Sequence, residues 1–436
     1  MKKILIIIFI ISLAMPAIAQ DTLRLGDAIE IALANNYSVR LVRKQREIAD
    51  NNVHVGNAGF LPTITASAGG SYSVNDIRMD LVMQQSINKN NAETTTYNGA
   101  VQLNWTIFDG MGMFISLDRL ELLRQKSDIE LQLAMEEMLR SLIAAYYNAA
   151  TARRNMKVAA DNLGLSRQRY QRAKDRAEYG AAVRVQLLRA EVDLNADSSA
   201  YMQSELEYKN IIRQLNFVMG RSHDEKFIPA EGLAIDPAPP LDSLRRDAMR
   251  NNSSINKAIA ERDISERDRD LVMSALYPRI SVSAGYNYNR TESDGGFFLY
   301  NVQEGFSASV NASLTLFNSF RTMIRSENSE IAIEMNEVAI EQIRARIDMN
   351  LRNAYENYEM LKKMHALEET AIETARLNYE RTQSLYELGQ TTSLELRQSQ
   401  INLMRARLRL NDVEYRTRLA RTELMLIAGR LLDEYK

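Results

Sequence analysis

Proline is absent from residues 63–228 and from everything after 278. A proline inside a helix costs about 3 kcal/mol, so both tracts are free to form long helices. Of the seven prolines, Pro62 and Pro278 each follow a helical stretch and stop it, because proline lacks an N–H and its ring clashes with the preceding turn. Pro229, Pro237, Pro239 and Pro240 cluster at 229–240, which reads as a linker between two halves.

The halves repeat one another. Leu61-Pro62-Thr63-Ile64 recurs as Tyr277-Pro278-Arg279-Ile280, and Trp105-Thr106-Ile107-Phe108-Asp109 recurs as Leu314-Thr315-Leu316-Phe317-Asn318. Tyr170 and Tyr379, Gly180 and Gly389, and Gly220 and Gly429 share the offset of 209 set by Phe108 and Phe317. The prolines are offset by 216, so the first copy has seven extra residues between 73 and 98. Asn75, Asn88, Asn90 and Asn91 there point to a loop. The expected organisation is a first repeat over 20–228, a linker over 229–240 and a second repeat over 241–436.

Each repeat reads as short helix, strand, loop, strand, long helix, tip, helix. Met135, Met138, Leu142, Ala145, Ala149, Ala152, Met156, Ala159 and Leu163 are spaced three and four apart, a sustained heptad seam. Ile340, Ile343, Ile347, Leu351, Ala354, Tyr358 and Leu361 repeat it. Tracts 111–178 and 320–386 would each be about 100 Å long at 1.5 Å per residue. That length suits coiled coils better than a globular core. Helices over about 24–55 and 184–217 together nearly equal one long helix, so they could stack end to end beside it.

Strands are expected at about 61–73, 98–108, 278–289 and 305–317. Val101, Leu103 and Trp105, Ile280, Val282 and Tyr286, and Val310 and Leu314 alternate with Gln102, Asn104, Ser281, Ser283, Asn311 and Ser313. Period-two alternation with small polar residues on the second face marks a transmembrane β-barrel. Val101, Leu103, Ile280, Val282, Val310 and Leu314 are the expected lipid-facing residues, with Trp105, Tyr286 and Tyr288 as aromatic girdle. Four strands cannot close, and an unpaired edge cannot face lipid. The barrel would therefore be shared by two, three or four chains in a cyclic homo-oligomer.

Lys2 and Lys3, the apolar run 4–15 and Ala17-Ile18-Ala19 predict a signal peptide over 1–19, the run being short for a membrane span. Its removal takes the net charge from −2 to −4. A chain with that charge and a pI near 6.1 lacks the basic surplus of a nucleic-acid binder. With no cysteine there is no disulfide, thiolate metal site or thiol nucleophile. His54, His223 and His365 lie far apart, and no phosphate loop or Ser/His/Asp arrangement stands out. No enzyme, cofactor or metal site is expected.

The duplicated architecture, the Leu61-Pro62 and Tyr277-Pro278 strand starts, the Phe108 and Phe317 strand ends and the tips Tyr179-Gly180 and Leu388-Gly389 together resemble the TolC-like outer-membrane efflux proteins. The resemblance covers residues 20–436. It implies a mainly α fold with a membrane β-barrel: a trimer whose 12-stranded barrel continues into a 12-helix periplasmic tunnel in a Gram-negative bacterium. It further implies a passive exit duct for drugs, metals or secreted proteins, docking on a periplasmic adaptor and its inner-membrane pump. Tyr179, Gly180 and Ala181, with Leu388, Gly389 and Gln390, would touch the adaptor, although the family's commoner tip is Val-Gly-Leu. The family also carries acidic gate residues six and nine positions after the tip glycine. Here those positions hold Glu395 and Gln398, and Gln186 and Arg189 in the first copy, so one acidic ring would remain instead of two. A periplasmic coiled-coil adaptor or scaffold without a barrel is the alternative.

Overall fold

The computed structural model describes residues 22–80, 86–178, 184–230, 237–295 and 298–435. The expected signal peptide, the first tip at 179–181 and linker residues 231–236 lie outside them. In chain order the elements are β1 (Thr22–Leu23), α1 (Leu25–Asn35), α2 (Tyr37–Asn52), β2 (Thr63–Asp80), β3 (Ser86–Asp109), α3 (Gly112–Glu178), α4 (Arg184–Met219) and β4 (Ile228–Pro229). The second copy gives α5 (Leu241–Asn251), α6 (Ser253–Ser274), β5 (Arg279–Ser293), β6 (Tyr300–Ser313), α7 (Arg321–Glu387), α8 (Ser393–Ile427) and a short α9 (Leu431–Glu434).

The proline-free tracts contain α3 and α7, 67 residues each. Two compact units emerge, and each draws on both copies. One takes the chain up to Lys44, Ile129–Asn256 and everything from Gln342; the other takes Gln45–Asp128 and Lys257–Glu341. The cuts fall at matching places in the two repeats instead of at the linker.

Within the first unit, the expected helix over 24–55 is broken. Asn36 ends α1, and its Oδ1 accepts from the Val39 N–H at 3.2 Å to start α2. Its Nδ2 donates to the Val218 carbonyl at 2.7 Å, which ties the break to the end of α4. Asn252 does the same between α5 and α6, donating to the Ile427 carbonyl at 3.0 Å. A side-chain amide that caps a new helix start competes with continuation of the old one. The core here is built on Leu139, Leu142, Ile143 and Tyr146 of α3, Leu215, Leu351 and Leu424, all fully buried. The described start of the linker is held in place. Its first residue, Pro229, ends β4, parallel to β1, and the buried Tyr146 hydroxyl donates to the Leu23 carbonyl at 2.8 Å and accepts from the Ala230 N–H at 3.1 Å. Burial pushes the Tyr146 phenol up to about 12.

The second unit holds a four-stranded sheet in the order β2-β3-β5-β6, antiparallel throughout. The first hairpin is longer than expected. Residues 74–80 and 86–97, read as loop, extend the ladder: Asn75 pairs with Ala92 and Asn88 with Arg78, and Asn90 and Asn91 fall at a bulge opposite the step from Asn75 to Ile77. Asn91 takes φ +54 there, and its N–H is held by the Asp76 carboxylate at 2.8 Å. β6 is shifted from its expected place, running from Tyr300 to Ser313, whose partner is Arg279. Pro278 has no N–H with which to extend the ladder, so Leu314 and Phe317 fall outside the strand.

Candidate functional site: a two-faced sheet and a capped helical turn

The register sorts the side chains. Residues directly opposite in an antiparallel pair share a face. Trp105, Val282 and Val310 form one row; Ile64, Leu103, Ala284 and Ala308 the next; Ala66, Val101, Tyr286 and Phe306 the third. Ile280 and Ala312 lie below them, and Tyr288 above, in a row where Glu304 supplies the first charge. From Ile280 to Tyr288 is about 26 Å of strand at roughly 3.3 Å per residue, close to the apolar height of a membrane barrel. Trp105 and the two tyrosines sit at opposite ends of the apolar rows. The Trp105 indole donates to the Phe60 carbonyl at 2.8 Å. Val310 and Phe306 are each 73% exposed and Val101 52%, an apolar face uncovered in the single chain. Leu314 is half exposed, just beyond the last rung.

The second helical turn is closed by two capping motifs in succession. The Gln390 N–H reaches the Leu385 carbonyl at 2.9 Å and the Gly389 N–H the Tyr386 carbonyl at 3.1 Å, with Gly389 at φ +74. These are the paired bonds of a Schellman C-cap. Thr392 then opens α8 with a capping box: its hydroxyl accepts from the Glu395 N–H at 3.3 Å, and the Glu395 carboxylate accepts from the Thr392 N–H at 3.2 Å and from the Thr391 hydroxyl. Leu388, Gly389 and Gln390 are exposed around the turn. Glu395 is thus exposed, but its carboxylate already serves the helix start. Gln398 is exposed and donates to Asn402 at 3.0 Å; Gln186 is exposed on the first turn of α4.

Arg397, two residues after Glu395, turns away from it. Arg397 grips Asp197 with two bonds of 2.7 and 2.9 Å, and Ser166 donates to the same carboxylate. Asp193 lies 3.3 Å from Arg169 and 3.5 Å from Arg397. Burial alone would raise Asp197, but Arg397 and Ser166 hold it below the usual carboxylate range. Burial and the neighbouring Arg397 lower Arg169. A cleft of about 400 Å³ beside this cluster is lined by Arg176, Arg189, Leu188, Leu394 and Tyr386 among others. Further along the same unit, polar pairs join α3 to α8: Asn162 with Gln400 at 2.7 Å and Asn155 with Asn411 at 2.8 Å. No local motif announces these pairs, whereas the Thr-x-x-Glu of the capping box was there to be seen.

Among the described residues no helix is long and apolar enough to cross a membrane, and no cluster of ligand side chains could hold a metal ion. The Outer membrane efflux protein family model matches residues 28–221 and 244–430, one stretch in each repeat. The chain belongs to that family. Outer membrane efflux proteins are channel proteins, and the TolC-like resemblance read from the tips and strand ends holds. The chain is 24% identical to protein CyaE of Bordetella pertussis over 95% of its length and 85% of that protein. It is 20% identical to outer membrane protein TolC of Vibrio cholerae over 100% of its length and 97% of that protein. Its fold is that of the Campylobacter jejuni CmeC outer membrane channel, with TM-score 0.77, 13% identity and coverage of 93% of this chain and 86% of that one.

Proposed function

We propose that this chain is the outer-membrane exit duct of an efflux or type I secretion assembly, a passive channel standing in a Gram-negative outer membrane with its helices in the periplasm. The observation that carries this reading is the sheet: one uncovered apolar face, one small-polar face, and strands β2 and β6 whose outer edges meet no strand among the described residues. In hydrocarbon such edges must be paired. Antiparallel neighbours throughout allow β2 of one copy to meet β6 of the next, and three copies give a closed 12-stranded barrel. An adaptor or scaffold in water would leave the apolar face bare, which favours the channel.

The decisive comparison is Val310→Arg against Asn311→Arg, adjacent residues on opposite faces. A charge at the lipid midplane of a barrel costs about 2–4 kcal/mol in every chain. Val310→Arg is expected to abolish trimers in the outer membrane, and Asn311→Arg to leave them. Equal tolerance of the two would contradict the reading.

The exposed turn at Leu388, Gly389 and Gln390, with its counterpart at 179–181, is the proposed contact with a periplasmic adaptor and, through it, an inner-membrane pump. Gly389→Asp is expected to stop export while trimers persist. Gly389→Asn, which tolerates the left-handed region, separates backbone strain from contact. Normal export by the Asp variant would remove the docking role.

A further inference from the structure

We propose that the small-polar face of the sheet lines an exit lumen with no charge preference, so that this section admits hydrophilic cargo of either sign. The inference rests on the inward orientation of that face proposed above. Seven rungs of the ladder contribute, from the row Thr106, Ser281, Asn311 to the row Ser73, Thr94, Ser293. Among the described residues of these rungs every side chain on this face is Ser, Thr, Asn, Gln, Ala or Gly. That is about 40 Å of strand at roughly 3.3 Å per residue.

On this face the row below the seven carries Asp109 and Arg279, opposite each other and of opposite sign in every chain. Glu93, Arg290, Glu292 and Glu304 are on the opposite face, above the apolar rows. At the foot, Arg279 donates to the Thr106 hydroxyl at 3.1 Å, and the Asp109 carboxylate caps α3 by accepting from the Met113 N–H at 3.1 Å. Several hydroxyls on the polar face bond one another across strands, Ser283 to Ser309 at 2.8 Å and Thr94 to Ser293 at 3.0 Å. Rings of fixed charge give a pore its ion preference. Hydroxyls and amides both donate and accept, so this wall can solvate a cation or an anion and holds neither tightly. Any preference of the whole channel would then arise in its helical part.

The natural absence of cysteine makes the test direct. Asn311→Cys and Ser307→Cys place single thiols on the polar face; Val310→Cys places one on the apolar face. Each full-length variant, in outer membranes of intact cells, is labelled from outside with a trimethylammonium and with a sulfonate methanethiosulfonate reagent. The ratio of the two rates, taken relative to that of free mercaptoethanol, cancels the ionisation of the thiol. Both polar-face variants are expected to give a relative ratio within about threefold of unity, the absence of a fixed-charge ring removing any electrostatic bias. A bias of about tenfold or more at either position, weakened by salt, would overturn the neutral lumen while leaving the channel intact. Val310→Cys labelling as fast as Asn311→Cys would instead mean that the orientation itself is wrong.

Discussion

Glu136 of α3 is 6% exposed, accepts from the Ser253 hydroxyl at 2.6 Å and from the Gln132 amide at 3.0 Å, and has Asp433 nearby. Burial first, and the like charge of Asp433, raise its pKa. A carboxyl whose folded value is raised supplies stability that is full below the unfolded value, about 4.3, and declines as pH rises through the folded one. Both bonds arrive at Oε1, which a glutamine keeps. Glu136→Gln should therefore raise the melting stability by about 1 kcal/mol at neutral pH and by nothing near pH 4, read by thermal unfolding in detergent. Equal melting at both pH values would contradict this. Asp197 behaves oppositely. Its lowered value means stability present above about 3.9 and lost as pH falls through the folded value. Asp197→Asn leaves Arg397 short of its carboxylate in a buried place and should cost about 3 kcal/mol at neutral pH, with the deficit shrinking in acid; a flat difference across pH would argue against the ion pair. Arg397 and Asp197 are 200 residues apart, so only the assembled fold could reveal their pairing.

Each strand-to-helix junction uses two consecutive left-handed residues at the same repeat positions: Gly110 and Met111 at φ +73 and +71, Ser319 and Phe320 at φ +59 and +60. In the first copy a Cβ on residue 110 would lie 2.3 Å from the Ser274 carbonyl oxygen, so only glycine fits. The second copy bears serine there and carries the strain that glycine avoids. Ser319→Gly should stabilise the chain by about 1 kcal/mol, and Gly110→Ala should destabilise it by more; chemical denaturation of the two variants checks the order, and a neutral Gly110→Ala would refute the close approach. The faces of the sheet were legible in the sequence because alternation is a local property with period two. The length of the long helices was legible because proline is absent. The breaks at Asn36 and Asn252 were not, since an asparagine inside a helical pattern reveals nothing until the distant carbonyls of Val218 and Ile427 arrive to hold it. The extended first hairpin was hidden for a related reason: its asparagines look like a loop, and only the pairing of β2 with β3, with Asp76 holding the Asn91 N–H, makes them rungs and a bulge.

For the molecule as a whole, the exposed turn before α8 is where two residue roles compete. Glu395 caps α8, yet it is exposed and holds the position at which the family resemblance implies an acidic gate ring. Glutamine also completes a capping box, so Glu395→Gln removes charge without unmaking the turn. In planar bilayers it should weaken cation preference and block by divalent ions; unchanged conductance, selectivity and block would leave Glu395 as a helix cap alone. A different consequence follows from the polar pairs between α3 and α8. A duplicated chain risks frustration, because each half can mistake another chain's half for its own companion. At the positions 209 residues away, Asn155 and Asn162 become Met364 and Ala371, while Asn411 and Gln400 become Met202 and Glu191. The amide pairs therefore have no echo in the other copy, and buried polar pairs are known to specify register at a cost in stability. They are expected to act as an address that tells the first half from the second. Replacing Asn155 and Asn411 together by leucine should leave the seam at least as stable but scramble which halves meet, seen as slower refolding and mixed oligomers on a sizing column. A single sharp trimer peak forming at the original rate would show that the two halves tell themselves apart by other means.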